Sequence, residues 1–295
     1  MSITKYEALL KTAELGSLTK AAEVLGVTQS GVSHMINGLE SELGFSLMIR
    51  TRGGARLTAE GEQLLPYIRR IITSQNELLQ AASSIRGTES GSINIATFTS
   101  VAVHWLPGII KSFEAKFPNV ELILKNGDYH DVEGWLEDGS ADIGFITMPA
   151  SVRGKVIALH EDRVLAVLPK EHRYAKMAKF PLAEAANEPF IGLLESSDHD
   201  ARRALSSAGI SPNIKFTTKD DYAIIAMVEN GLGISIMPEL LLEGRKDRVA
   251  ALPLVPPSSR TIALCLPRGD KAGPAALRFA TCTSAWVKER YKSKH

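Results

Sequence analysis

Between Leu18 and Leu57 the spacing of small, apolar and turn-forming residues admits little besides two short helices, a tight turn and a hairpin. Ser17 is placed to cap the first helix, whose inner face of Ala21, Ala22 and Leu25 is small enough for a neighbouring helix to approach closely. Gly26-Val27 supplies the turn, and Thr28 caps a second helix that runs to about Glu42. There Val32, Met35, Ile36 and Leu39 recur at helical spacing and are expected to face the core. The opposite face carries Ser30, Ser33, His34 and Asn37, with Thr28 and Gln29 at its start. A solvated helix face is ordinarily rich in Glu and Lys. Short hydroxyl, amide and imidazole groups instead suit hydrogen bonding to base edges in a major groove. Arg50, Arg52 and Arg56 surround a Gly53-Gly54 turn, and no acidic residue lies between Gly44 and Ala59. Such a wing sets guanidinium groups against phosphates or into the adjacent minor groove. The candidate DNA contacts are therefore Thr28, Gln29, Ser30, Ser33, His34, Asn37, Arg50 and Arg52.

From Thr58 to about Arg86 only Pro66 interrupts a helical pattern, and a local kink or unwinding is expected there. Leu64, Ile68, Ile71, Gln75, Leu78, Ala82 and Ile85 alternate in steps of four and three, the 3.5-residue repeat of helices that pair along a seam. A helix of this length reaches roughly 40 Å, too far to be buried in one small domain. Gln75 either lies in the seam and fixes its register or points outward after a slight phase shift. A dimer built on this seam carries two reading helices related by a two-fold axis, which suits an inverted-repeat site on double-stranded DNA.

The stretch LTKAAEVLGVTQSGVSHMINGLESELGFSLMIRTRGGARLTAE, from Leu18 to Glu60, resembles the DNA-binding domain of LysR-type transcriptional regulators. Its most specific part runs from Gly16 to Gly44. His34 stands where the family commonly has Arg, Gly31 where Ala is common, and Met48-Ile49 where Phe-Glu is usual. An imidazole cannot make the bidentate guanine contact of a guanidinium, so these departures bear on base preference. The resemblance covers the whole chain and implies a winged helix–turn–helix, a linker helix and a two-lobed α/β effector domain like that of periplasmic solute-binding proteins. It also implies a homodimer that associates into a tetramer, with the transcription machinery as a possible partner, and a small organic acid or inorganic anion as effector, with no other cofactor.

The domain boundaries expected are 1–58 for the winged helix–turn–helix, 59–87 for the linker, 88–91 for a polar hinge, 92–162 with 267–295 for lobe I, and 163–266 for lobe II. Within the effector half, strands at Ser92–Phe98, Val120–Lys125 and Asp142–Ile146 alternate with helices, an order that predicts a parallel sheet with ligands at the carboxyl ends of its strands. Arg163–Leu168 reads as the strand crossing to the second lobe, Thr261–Leu266 as the return, and Pro274 to about Lys292 as a closing helix. Strand ends facing a cleft place Thr99, Ser100, Asn126 and Thr147 on one side and Ser196, Ser197 and Lys219 on the other. Free N–H groups ahead of the helix at Thr99 favour an anion, whereas Asp128 and Glu195 favour a cation or a neutral hydrogen-bonding ligand. Each hydroxyl taken singly is as well explained as a turn former.

The 295 residues carry a formal net charge of +1, which excludes a globally basic coat for nucleic acid but not a local basic patch. Over residues 1–87 nine basic residues face eight glutamates, so the arginines from Arg50 to Arg56 carry the electrostatics. No secretory leader and no membrane-length apolar run are evident, which predicts a cytoplasmic protein without membrane contact. Cys265 and Cys282 read as small buried side chains, with a redox-responsive regulator as the alternative. The histidines lack metal spacing, His199-Asp200 reads as a surface turn, and Asp220-Asp221 as helix-start charges. No catalytic arrangement emerges. The remaining alternative, a solute-binding or sensor protein, leaves residues 1–87 without a purpose.

Overall fold

The computed structural model describes residues 2–51, 53–87, 90–194 and 199–292. The chain forms two compact units, Met1–Gly91 with Asp138–Ser140, and Ser92–Glu137 with Ala141–His295.

The first unit begins with α1 (Ile3–Leu15), α2 (Leu18–Leu25) and α3 (Gln29–Leu43). Ser17 accepts a hydrogen bond from the Lys20 amide, and Thr28 accepts one from the Gly31 amide at 3.1 Å, as their N-cap positions require. Ala21 and Ala22 of α2 and Val32, Ile36 and Leu39 of α3 pack with Leu9 of α1 and Leu47 into one core, and Met35 joins its edge. The wing consists of β1 (Met48–Thr51) and β2 (Gly54–Leu57) in antiparallel register. Glu40 holds its approach, accepting from the Leu47 and Met48 amides at 2.6 and 3.0 Å. At the tip Gly54 has φ +133°, and a Cβ there would meet the Gly16 carbonyl oxygen at 2.5 Å. The Ala55 amide donates to that same oxygen at 2.8 Å.

The linker is α4 (Ala59–Ile85), capped by Thr58. It remains helical through Pro66, so the expected unwinding does not occur. The seam also divides differently from the simple repeat. Leu64, Ile68 and Ile72 pack into the core of their own unit beside α1, leaving Ile71, Leu78 and Ile85 exposed at 41%, 68% and 89%.

The second unit runs β3 (Gly91–Thr97), α5 (Thr99–His104), α6 (Leu106–Glu114), β4 (Val120–Asn126), α7 (Tyr129–Glu137), β5 (Ile143–Met148), β6 (Lys155–Leu168), β7 (Phe180–Pro181), β8 (Pro189–Leu193), α8 (His199–Ser207), β9 (Asn213–Thr218), α9 (Asp221–Glu229), β10 (Ser235–Pro238), β11 (Ala250–Leu266) and α10 (Pro274–Lys292). Its main sheet has the order β10-β6-β11-β5-β3-β4. The sheet is mixed rather than parallel: β3 pairs β5 in parallel, but β11 is antiparallel to both β5 and β6. Two long strands account for this correction. β6 and β11 lie side by side through both lobes, with a register break between Pro253 and Ser258. Residues Thr261–Cys265 pair with β5, so this end of β11 belongs to lobe I and not, as expected, to lobe II. Lobe I packs Trp105, Phe113, Phe145 and Phe279 on one side of the sheet and Val132, Leu136 and Cys265 on the other. Lobe II has its own clusters around Phe180 and Phe190 and around Ile191, Ile224 and Val228.

The wing tip yields a paired expectation. Gly54→Ala meets a backbone oxygen at a backbone angle that L side chains avoid, and should destabilise the first unit by about 1–3 kcal/mol. Gly53→Ala, whose Cβ comes no nearer than 3.7 Å to a side chain, should change stability far less. Urea unfolding of the two variants side by side checks this.

Candidate functional site

Two sites emerge, one in each unit. The N-cap Thr28 and, on α3, Gln29, Ser30, His34 and Asn37 are exposed and Ser33 is partly so, while Val32, Ile36 and Leu39 on the reverse face are buried. The Thr28 and Ser30 hydroxyls lie 3.0 Å apart. Arg50, expected to anchor phosphate or minor groove, is engaged within the chain itself. From β1 its guanidinium reaches across to α3, donating to Ser33 Oγ at 2.7 Å and Asn37 Oδ1 at 2.5 Å. Wing and helix thus form one polar ridge, with a cation resting on two polar side chains of α3. Arg52 lies outside the described residues.

The second site is a cavity of about 270 Å³ between the two lobes of the second unit. Thr99, Ser100, Asn126 and Lys219 line it as expected. Thr147 does not, because it is buried within β5 opposite Ile262. Ser196 and Ser197 lie outside the described residues. The remaining wall is partly apolar, from Phe98, Leu193, Ile224, Met237 and Leu241.

At the base of the cavity sits Arg260, only 2% exposed. It pairs in register with Asp162 where β6 and β11 pass from one lobe to the other. Its Nε and Nη2 donate to Asp162 Oδ2 at 2.9 and 2.7 Å, Nη2 also to Ser100 Oγ at 2.8 Å, and Nη1 to the Tyr129 hydroxyl and to Asp200 Oδ2. Tyr129 in turn donates to Asp200 at 2.6 Å. A guanidinium has five N–H donors, and here each has an acceptor. Burial opposes the charge on Arg260, but Tyr129 and the Asp200 and Asp162 carboxylates outweigh it and raise the pKa, so the group stays cationic.

Asp200, expected as a surface turn residue, is instead buried and bridges Arg260, Tyr129 and Arg203. Asp220 caps α9 by accepting from the Tyr222 and Ala223 amides, as a helix-start charge should. Asp221 does something else: it faces the cavity, where burial pushes its carboxyl up to about 6 against the opposing pull of Thr99 and Arg260. The sequence assigns neither Arg260 nor Asp200 to the cleft, because a lone cation ahead of an apolar strand and an acid at a helix start are both ordinary patterns.

Cys265 is fully buried, and burial raises its thiol to about 11, leaving little thiolate at neutral pH. Cys282 is buried in lobe I. Among the described residues no group of His, Cys, Asp and Glu is arranged to hold a metal ion, and no helix is long and apolar enough to cross a membrane.

Comparison with known proteins gives two family matches, the bacterial regulatory helix-turn-helix protein, lysR family, over residues 3–62 and the LysR substrate binding domain over residues 86–288. The uncharacterized HTH-type transcriptional regulator YvbU of Bacillus subtilis is 33% identical over 285 residues, covering 95% of this chain and 96% of that one. Among solved structures, a full-length OxyR variant from Pseudomonas aeruginosa superposes with a TM-score of 0.76 at 18% identity, covering 98% of this chain and 95% of its own. Full-length CbnR in complex with its target DNA gives a TM-score of 0.66 at 20% identity, covering 97% and 100%. Helix–turn–helix, linker and two-lobed domain thus occur here in the order of those relatives, and the chain belongs to the LysR family of DNA-binding transcriptional regulators, which carry a ligand-binding domain.

Proposed function

We propose that two copies of this chain pair through α4 and present two α3 helices to an inverted-repeat operator. Bases are read by Gln29, Ser30, Ser33, His34 and Asn37, with Thr28 at the helix start and Arg50 and Arg52 beside them. The observation that carries this reading is the ridge in which Arg50 spans Ser33 and Asn37. It sets a cation among uncharged hydrogen-bonding groups on the face of α3 opposite the buried Val32, Ile36 and Leu39. This is the chemistry of base edges bordered by phosphate.

Control by a small molecule is assigned to the cavity at Arg260. A ligand that closes the lobes changes the separation of the paired reading heads, provided it binds the DNA-bound and free assemblies with different affinity. Association of two dimers into a tetramer, contact with the transcription machinery and a cytoplasmic location complete the reading. Catalysis has no part in it: among the described residues Asp162, Ser100, Tyr129 and Asp200 are each engaged in hydrogen bonds to Arg260. The Cys265 thiol, buried and weakly acidic, favours ligand control over redox control.

Electrophoretic or fluorescence titration against the chain's own upstream DNA tests the DNA-binding role. Affinity should fall steeply with salt while a preference over unrelated DNA persists. Gln29→Ala and His34→Ala should each cost about 1–3 kcal/mol of that preference wherever the side chain meets a base. Arg50→Lys keeps the charge but loses the two-pronged contact, so it should lower preference while leaving the salt dependence near that of the parent. Equal affinity of the parent for all sequences defeats the assignment.

The seam is tested by Leu78→Glu. Leu78 is 68% exposed in the single chain, so the substitution should leave circular dichroism unchanged. Sedimentation should shift toward monomer, and operator affinity should drop sharply.

A further inference from the structure

The cavity also carries information on the kind of molecule it accepts, resting on its assignment as the effector site. Six charged residues line it among the described residues: Asp128, Asp131, Asp200 and Asp221 against Lys219 and Arg260. Arg260 is the group to which an organic acid would be drawn, and it has nothing left to donate. Asp162, Asp200, Tyr129 and Ser100 occupy all five of its N–H groups, and two carboxylates already offset its single charge. An incoming carboxylate would have to displace one of the chain's own buried partners. The helix start at Thr99 offers little instead, because α5 is only six residues long and the Ser100 hydroxyl is committed to Arg260. Lys219 is exposed, where water screens its charge.

The carboxylates are not equivalent. Asp128 and Asp131 cap α7, each accepting from the other's backbone amide, at 2.9 and 3.1 Å. Asp200 is held by Arg260 and Arg203. Asp221, partly buried at the start of α9, forms no ion pair among the described residues and shares the cavity wall with Thr99. Beside it stand the apolar side chains of Ile224 and Leu241. We infer that the cavity accepts an organic cation, a protonated amine on a short apolar body, with the amine against Asp221 and Thr99 and the body against the apolar wall. A charge-assisted hydrogen bond to a carboxylate that has no ion-pair partner among the described residues is the strongest polar contact this wall can offer. It reverses the sign expected from the resemblance alone.

The test uses the full-length protein and two matched probe sets in thermal-shift and calorimetric titrations: putrescine, cadaverine and hexylamine against succinate, glutarate and hexanoate. Amines should bind saturably, and Asp221→Asn should weaken them about tenfold or more. Their affinity should fall as pH drops below about 6, because the proton that neutralises Asp221 competes with the cation. The groups facing Asp221 are Asp220 and Asp200, which favour its protonation, and Arg260 and Thr99, which oppose it. A carboxylate ligand would show the opposite trend and bind Asp221→Asn more tightly. Carboxylate binding lost in the cavity-filling Ile224→Trp variant would overturn the amine assignment while preserving the effector site. The same holds if neither set binds but the low-molecular-weight fraction of a cell extract stabilises the parent and not Ile224→Trp. If that fraction also fails, both the amine and the effector site fall.

Discussion

The pairing of Arg260 with Asp162 at the lobe crossing is the contact around which the second unit is organised. Two ions taken out of water cost several kcal/mol each, and their mutual attraction offsets this only when geometry and surrounding hydrogen bonds are nearly complete. Here they are. The pair joins neighbouring strands in register, Asp162 also accepts from the Leu240 amide, and Ser100, Tyr129 and Asp200 complete the guanidinium shell. Ser100 and Tyr129 come from lobe I and Asp200 from lobe II, while Arg260 and Asp162 lie on the strands that run between them. The network therefore ties the lobes at the floor of the cleft they form. A ligand above it enters a space whose most costly electrostatic problem is already solved.

The first unit depends on packing more than on charge. Small residues let α1, α2 and α3 approach, and the wing is held by amides that donate to the Gly16 carbonyl and the Glu40 carboxylate rather than by a large core of its own. α4 serves twice: its first turns complete this core, and its later turns leave exposed the apolar stripe through which pairing is proposed. Because the stripe is exposed in the single chain, pairing need not disturb the fold that presents α3.

Much of this was legible where a local rule and the global fold agree. The caps at Ser17 and Thr28, the buried Val32, Ile36 and Leu39, and the closing helix Pro274–Lys292 all follow from periodicity and turn chemistry. The misses have a common physical origin in non-local pairing. β6 and β11 were seen only in part, because a strand that crosses two lobes changes environment midway and shows no single alternation. The sheet was expected to be parallel because the antiparallel pairing of β11 joins residues more than a hundred positions apart. Arg260 and Asp200 reveal their roles only once they are brought beside Tyr129 and Asp162. Thr147 sits near a strand end but within the sheet, and sequence does not fix where the cleft begins.

The bridge from Arg50 to Ser33 and Asn37 has a consequence for how target choice can change over generations. A side chain on the helix and one on the hairpin are bonded to each other before any DNA arrives, so neither can be exchanged alone without loosening its neighbour. On the proposed reading of α3, drift to a new operator is thereby channelled into concerted replacements, whereas Gln29 and His34, which carry no such tie among the described hydrogen bonds, are the positions free to vary first.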